Sequence, residues 1–231
     1  MLPLCIAFSG GMLIFLVLIP LYIGSKLNSL IKAVSAGIKG ISSLIAISFG
    51  VAGMIKMVYY SDGINYTGLI NDVWLLAGLI LCLAGDVALV FSITAGGSLF
   101  TLAHISYIIF FLRVGSFTPV SIPIFSLCVV AVMCSLYQYM GSVGKNKFRL
   151  IAYGAVILAN CSIGIILPFQ IGINGFLPAI GCVLLGVSDY TLLRNTFVQK
   201  TVLSDCISLN TYYAGLFLLS LSLYLKAFLV F

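Results

Sequence analysis

The sequence predicts an all-α, polytopic membrane bundle of about eight transmembrane helices, and three observations carry that reading. First, 62% of the 231 residues are hydrophobic and 7% charged, with a mean hydropathy of +1.26, which leaves too little polar surface to face water around a soluble domain. Second, the chain divides into apolar runs of roughly the 20 residues that a helix needs to cross a hydrocarbon core. Third, the sequence lacks the alternating ten-residue segments of a barrel, and in lipid the backbone polar groups are satisfied only in helices or closed barrels.

Taken in order, the spans are expected at about residues 3 to 24, 38 to 59, 68 to 91, 97 to 113, 119 to 140, 148 to 168, 175 to 194 and 208 to 230. The breaks carry turn residues: Ser61-Asp62-Gly63, Ala95-Gly96-Gly97, Ser116-Phe117-Thr118-Pro119, Gly141-Ser142-Val143-Gly144, Gly172-Ile173-Asn174-Gly175 and Ser204-Asp205. No connection is long enough for a soluble insertion, so residues 1–231 are expected to form a single integral membrane domain. The run Leu2 to Gly24 is longer than a signal-peptide core and has neither a basic flank nor a small-residue cleavage site, so it reads as a retained first helix. Seven cysteines (5, 82, 128, 134, 161, 182 and 206) lie almost entirely within apolar runs without a CxxC pair and read as small hydrophobes.

The net charge is +6. With its cations scattered among apolar runs, the chain fits cytoplasmic loops and anionic lipid rather than nucleic acid. Connections after the odd-numbered helices hold Lys26, Lys32, Lys39, Lys145, Lys147, Arg149, Arg194 and Lys200, against Lys56, Arg113 and Lys226 on the other side. Eight against three places the odd-numbered connections in the cytoplasm. Asp86, His104, Asp189 and Lys39, on four different helices, then converge in the cytoplasmic part of the membrane.

Asp86 and Asp189 are the centre of the functional reading. Each ends a long apolar run, where a charge near a bilayer centre costs about 2.5 to 3.5 kcal/mol and therefore marks either a functional site or a helix-helix clamp. Two buried carboxyls at similar depth can divide the roles of acid and base. His104 and Tyr107, three residues apart and hence on one helical face, either orient a carboxylate or pack. Lys39 is either an interfacial anchor or a partner of the site. Asp62, Asp72 and Asp205, in loops or at helix starts, read as caps or solvated charges. Trp74 and the many tyrosines read as interface and packing aromatics, Asn65-Tyr66-Thr67 fits a glycosylation sequon, and Asn160 either lines a cavity or clamps a neighbour. One histidine excludes a bis-histidine haem and a three-histidine zinc site, and there is no G-x-S-x-G elbow. A metal held by Asp86, His104 and Asp189 would have a thin ligand set, and no metal or other cofactor is expected.

Gly85-Asp86-Val87-Ala88-Leu89, then Gly96 and Phe100 leading to Ala103-His104-Ile105-Ser106-Tyr107, then Ser188-Asp189 leading to Leu192 and Phe197, resemble the G-D-x-x-L, G-x3-F-x2-A-H-x2-Y and S-D-x2-L-x4-F signatures of the YhhN-like lysoplasmalogenase family. Lys39 and Thr211-Tyr212-Tyr213 look like two further family positions, so the resemblance runs from about residue 39 to the end of the chain. It departs at Gly40, where proline is usual, at Asn160, where an apolar residue is usual, and in lacking a glutamine shortly after the tyrosines.

The resemblance implies an integral membrane ether hydrolase that cleaves the vinyl-ether bond of lysoplasmalogens, releasing a fatty aldehyde and a glycerophospho-base. Such a bond opens when an acid protonates its β carbon, and water then adds to the oxocarbenium ion. Two carboxyls, one acid and one base, supply that chemistry, as they do in glycosidases. Asp86 and Asp189 are thus the expected catalytic pair, and Lys39, His104, Tyr107, Ser188 and Tyr212 the expected substrate-binding or orienting residues. The expected partners are a lysophospholipid substrate and membrane lipids, and the expected location is a bacterial inner membrane, with the site toward the cytoplasm. The rival reading is a small transporter or proton-coupled carrier. That reading predicts internal repeats, and the sequences flanking the two aspartates differ.

Overall fold

A computed structural model describes residues 2–27, 32–60, 66–137, 147–197 and 201–229. The chain runs through α1 (Leu2–Leu13), a π-helical stretch (Ile14–Leu18), α2 (Ile19–Leu27), α3 (Lys32–Tyr60), α4 (Tyr66–Phe91), α5 (Ile93–Val114) and α6 (Ser121–Leu136). It continues through α7 (Lys147–Gly164), α8 (Leu167–Ile171), a 3-10 turn (Gly172–Gly175), α9 (Phe176–Phe197) and α10 (Val202–Leu229). No strand occurs among the described residues. The fold is the expected all-α polytopic bundle.

Among the described residues six stretches are long and apolar enough to cross a membrane: Leu2–Gly24, Val34–Tyr59, Gly68–Phe91, Ile93–Val114, Phe148–Asn195 and Val202–Phe228. The fifth, 48 residues long, is folded back on itself. Pro168 opens the short α8, and Gly172, with φ of 67°, takes the left-handed conformation that favours glycine and turns the chain into α9. Antiparallel packing of α7 on α9 brings Gly164 against Cys182 and Gly186 against Cys161, so this stretch makes two passes. The expected fifth span differs. Among the described residues Ser121–Ser135 is a shorter apolar helix, and residues 138–140 of the expected span lie outside the described residues.

Local chemistry accounts for the element boundaries. The π-helical stretch lies just before Pro20, which has no N–H to donate back and whose ring crowds the preceding turn. Ser92 separates α4 from α5, with extended backbone and a side chain that accepts from the Ala95 N–H at 3.3 Å. The last helix begins at Val202, six residues before the expected 208, because Thr201 and Ser204 form a reciprocal cap. The Thr201 hydroxyl accepts from the Ser204 N–H at 3.1 Å, and the Thr201 N–H donates to Ser204 Oγ at 3.2 Å. Gln170 ties the α5–α6 connection to α8, donating to the Ser116 carbonyl at 2.7 Å and to Thr118 Oγ1 at 2.6 Å.

Burial is inverted relative to a soluble protein. Large apolar side chains such as Leu16, Leu44, Ile80, Leu127 and Val130 face outward, while Lys39, Ser43, Asp86, His104, Asn160 and Asp189 are buried. In lipid an outward leucine carries no penalty, and polar groups are retained where other helices can pair them. The apolar core joins α3, α4, α5, α9 and α10 through Leu75, Leu79, Phe111, Leu185, Leu216 and Leu219.

The α4–α5 hairpin is the tightest contact beside the site. A Cβ at Gly96 would come within 2.7 Å of Leu89 Cα, and one at Gly85 within 2.9 Å of the Phe100 ring, so only glycine permits this approach. Gly96→Ala should therefore push α5 from α4 and lower stability by about 1 to 3 kcal/mol, the usual cost of overpacking. Thermal denaturation in detergent reads it, and an unchanged melting temperature would show that the hairpin tolerates the extra carbon.

Candidate active site

The site lies where α3, α4, α5, α9 and α10 meet. Asp86 is five residues from the end of α4, buried to 1% exposure, with three donors converging on it. Ser43 on α3 donates its hydroxyl to Asp86 Oδ2, Tyr212 on α10 donates to the same oxygen at 2.8 Å, and Lys39 Nζ lies 3.5 Å from Oδ1. Oδ1 makes no hydrogen bond, so its contact with the lysine is a charge interaction. Lys39 and Ser43 are four residues apart on α3 and share a face.

Lys39 is not at the start of its helix, as the sequence suggested. The described part of α3 begins at Lys32, which carries Lys39 two turns into the helix. There it is 7% exposed, with its ammonium 5.5 Å from the centre of the Tyr22 ring. An interfacial anchor would keep its ammonium in water, and this one points inward to a carboxylate.

Asp189 on α9 has a different set of partners. Its Oδ2 lies 2.7 Å from His104 Nε2, and His104 Nδ1 lies 3.0 Å from Asn160 Nδ2 on α7. Tyr153, also on α7, stands with its buried hydroxyl beside Asp189. Tyr107 lies behind His104, ring edge to face with centroids 6.1 Å apart, and its hydroxyl meets Cys82 Sγ at 3.3 Å.

Both carboxyls line one cavity of about 230 Å³ together with Tyr22, Lys39, Phe100, Leu192, Ser208 and Tyr212. His104 and Tyr107 do not line it; His104 meets Asp189 from outside the cavity, and Tyr107 packs on His104. Ser188 does line the cavity, yet its hydroxyl donates to the Ser208 carbonyl at 2.9 Å, and the Ser208 hydroxyl donates back to the Ser188 carbonyl at 3.2 Å. This pair ties α9 to α10. Ser188→Ala should cost about 0.6 kcal/mol, typical of a membrane-embedded hydrogen bond, and leave KM unchanged; a raised KM would give Ser188 a substrate contact instead.

Two other aspartates part company. Asp205 lies in the first turn of α10, accepts from Asn195 Nδ2 at 3.2 Å and lines the same cavity as Asp86 and Asp189, so it is more than the cap or solvated charge expected. Asp72 is neither a cap nor solvated: it is 2% exposed within α4 and meets Lys226 Nζ at 2.6 Å. That ion pair borders a second cavity, of about 710 Å³, near the opposite end of α4. Asp62 and Asn65 lie outside the described residues. Trp74 packs against the core. The cysteines are all free. Among the described residues no three His, Cys, Asp or Glu side chains are grouped to hold a metal ion.

Ser43, Tyr22 and Tyr153 were not singled out in the sequence. Only Ser43 carried a signal, its spacing of four from Lys39.

Comparison with known proteins decides the family. The model of the YhhN family matches residues 46–223. The chain belongs to the YhhN family. The matched region includes Asp86, His104, Asn160, Asp189 and Tyr212, while Lys39 and Ser43 precede it. No curated protein matches the chain, and no solved structure matches it.

Proposed function

We propose that this YhhN-family protein is a lysoplasmalogenase, hydrolysing the vinyl ether of a lysophospholipid to a fatty aldehyde and a glycerophospho-base. The observation that carries this reading is that Asp86 and Asp189, from separate helices, line one small cavity inside the bundle. A single-chain lipid entering between the helices can bring its vinyl ether to that cavity and leave its tail among the apolar walls. Lys39, on the same cavity wall, is a cation within reach of a phosphate.

The partners divide the roles. Asp86 is surrounded only by donors: two hydroxyls and an ammonium. That setting suits a carboxylate. Asp189 meets the imidazole through Oδ2, and its other oxygen, Oδ1, is assigned the reacting proton. Asp189 gives that proton to the β carbon of the vinyl ether, and the Asp86 carboxylate stabilises the oxocarbenium ion and takes a proton from the attacking water. The hemiacetal then collapses: its hydroxyl proton passes through solvent to the glycerol oxygen, the C–O bond breaks to release the alcohol, and the aldehyde carbonyl forms. One water is consumed, and Asp189 regains its proton from Asp86 through solvent. The cation distribution supports the reading that the cavity faces the cytoplasmic side of a bacterial inner membrane.

The deciding experiment is aldehyde release from a lysoplasmalogen by purified protein in detergent with EDTA, beside the ester-linked lysophospholipid of the same head group. Aldehyde from the vinyl ether, with the ester untouched, is the expected result. Well-folded protein that releases none sinks the hydrolase reading and leads to a proteoliposome flux assay.

A further inference from the structure

Asn160 lies in the apolar middle of α7 at 0% exposure, and the chemistry above does not use it. Its Nδ2 is 3.0 Å from His104 Nδ1, while its Oδ1 is buried with no hydrogen-bond partner. An amide NH2 group can only donate. With the amide NH2 turned to the ring, His104 Nδ1 presents its lone pair to Asn160 and the ring hydrogen sits on Nε2. That nitrogen lies 2.7 Å from Asp189 Oδ2, so the ring N–H is directed at the carboxyl.

Tyr153 and Asn160, both on α7, are seven residues apart, two helical turns, and face the same side. One stands beside Asp189 and the other behind His104, so α7 provides a polar backing for Asp189 that does not enter the cavity.

We propose that Asn160 is a positioning residue that fixes His104 as its Nε2–H tautomer, so that the imidazole always donates to Asp189 Oδ2 and leaves Oδ1 as the oxygen that carries the reacting proton. With the other tautomer, Nε2 would be an acceptor. It would then bind a proton on Asp189 Oδ2 and hold it away from the substrate. The catalytic consequence rests on the vinyl-ether hydrolase reading; the tautomer does not.

His104 is the single histidine of the chain, so protein labelled with 15N-histidine reports one imidazole. At neutral pH in detergent the wild type should show Nε2 as the protonated, pyrrole-type nitrogen and Nδ1 as the pyridine-type nitrogen. Asn160→Leu, which removes the donor, should shift proton occupancy toward Nδ1. Asn160→Asp, whose carboxylate accepts from Nδ1–H, should place the proton on Nδ1. With a lysoplasmalogen as substrate, Asn160→Leu should lower kcat by about 10- to 100-fold with KM unchanged, taking the scale known for the orienting partners of metal-bound histidines.

A wild-type spectrum with Nδ1 protonated overturns the proposal before any variant is made. Unchanged nitrogen shifts in both variants overturn it as well. If the spectra behave as expected and the wild type releases no aldehyde, the positioning role stands and the hydrolase reading falls.

Discussion

Asp189→Asn and Asp86→Asn should each lower aldehyde release by about 10²- to 10⁴-fold, the range associated with losing a positioned general acid or base; Asp189→Asn should remain folded, while Asp86→Asn leaves the buried Lys39 charge without its partner and should also lose stability. The expectation follows from what each amide keeps. At position 189 an amide oxygen can still accept from His104 Nε2, where the wild-type distance is 2.7 Å, so the α5–α9 link survives; the nitrogen that replaces the other oxygen cannot deliver an acidic proton. At position 86 the amide oxygen can still accept from Ser43 and Tyr212, but the negative charge proposed to face the oxocarbenium ion is gone. The measurement is a single-turnover aldehyde assay with both variants checked by circular dichroism. A clamp reading of the same aspartates predicts little change, because asparagine also clamps helices. Near-wild-type activity in either variant removes that residue from the chemistry.

Replacing Lys39 by Met should destabilise the protein by about 3 to 5 kcal/mol, the usual penalty for removing one member of a buried ion pair and leaving the other charge uncompensated. Asp86 would keep its two hydroxyl donors but lose the only cation at its Oδ1, in a site where the carboxyl is 1% and the lysine 7% exposed. The double variant Lys39→Met/Asp86→Asn should recover most of that loss, since neither charge then remains. Equilibrium unfolding in detergent and denaturant measures the cycle. A lysine that served only as a lipid anchor would give a small single-variant effect and no recovery in the double variant. The same variant should raise KM for a lysophospholipid if the ammonium also meets the phosphate.

Much of the fold was legible in the residues because hydropathy is a property of each segment taken alone. A helix such as 68–91 had to leave water whatever its neighbours, and its observed range, Tyr66–Phe91, differs by two residues at one end. Boundaries set by capping were less visible. Thr201 and Ser204 start α10 six residues early through side chain to backbone bonds, and such a cap competes poorly for notice beside a long apolar run.

The sequence by itself determined that this chain is an apolar helical bundle and that Asp86, Asp189, Lys39 and His104 are its rare ionisable groups, because lipid admits few charges and each one stands out. Only the tertiary structure decided who meets whom. It pairs Lys39 and Tyr212 with Asp86, and His104 with Asp189. It turns Ser188 to Ser208 and sends Asp72 to Lys226. The physical reason is that a partner is chosen by the rotation and approach of two helices. Those depend on packing between residues distant in the chain, such as Gly85 against Phe100 and Gly96 against Leu89, and no single segment carries that information.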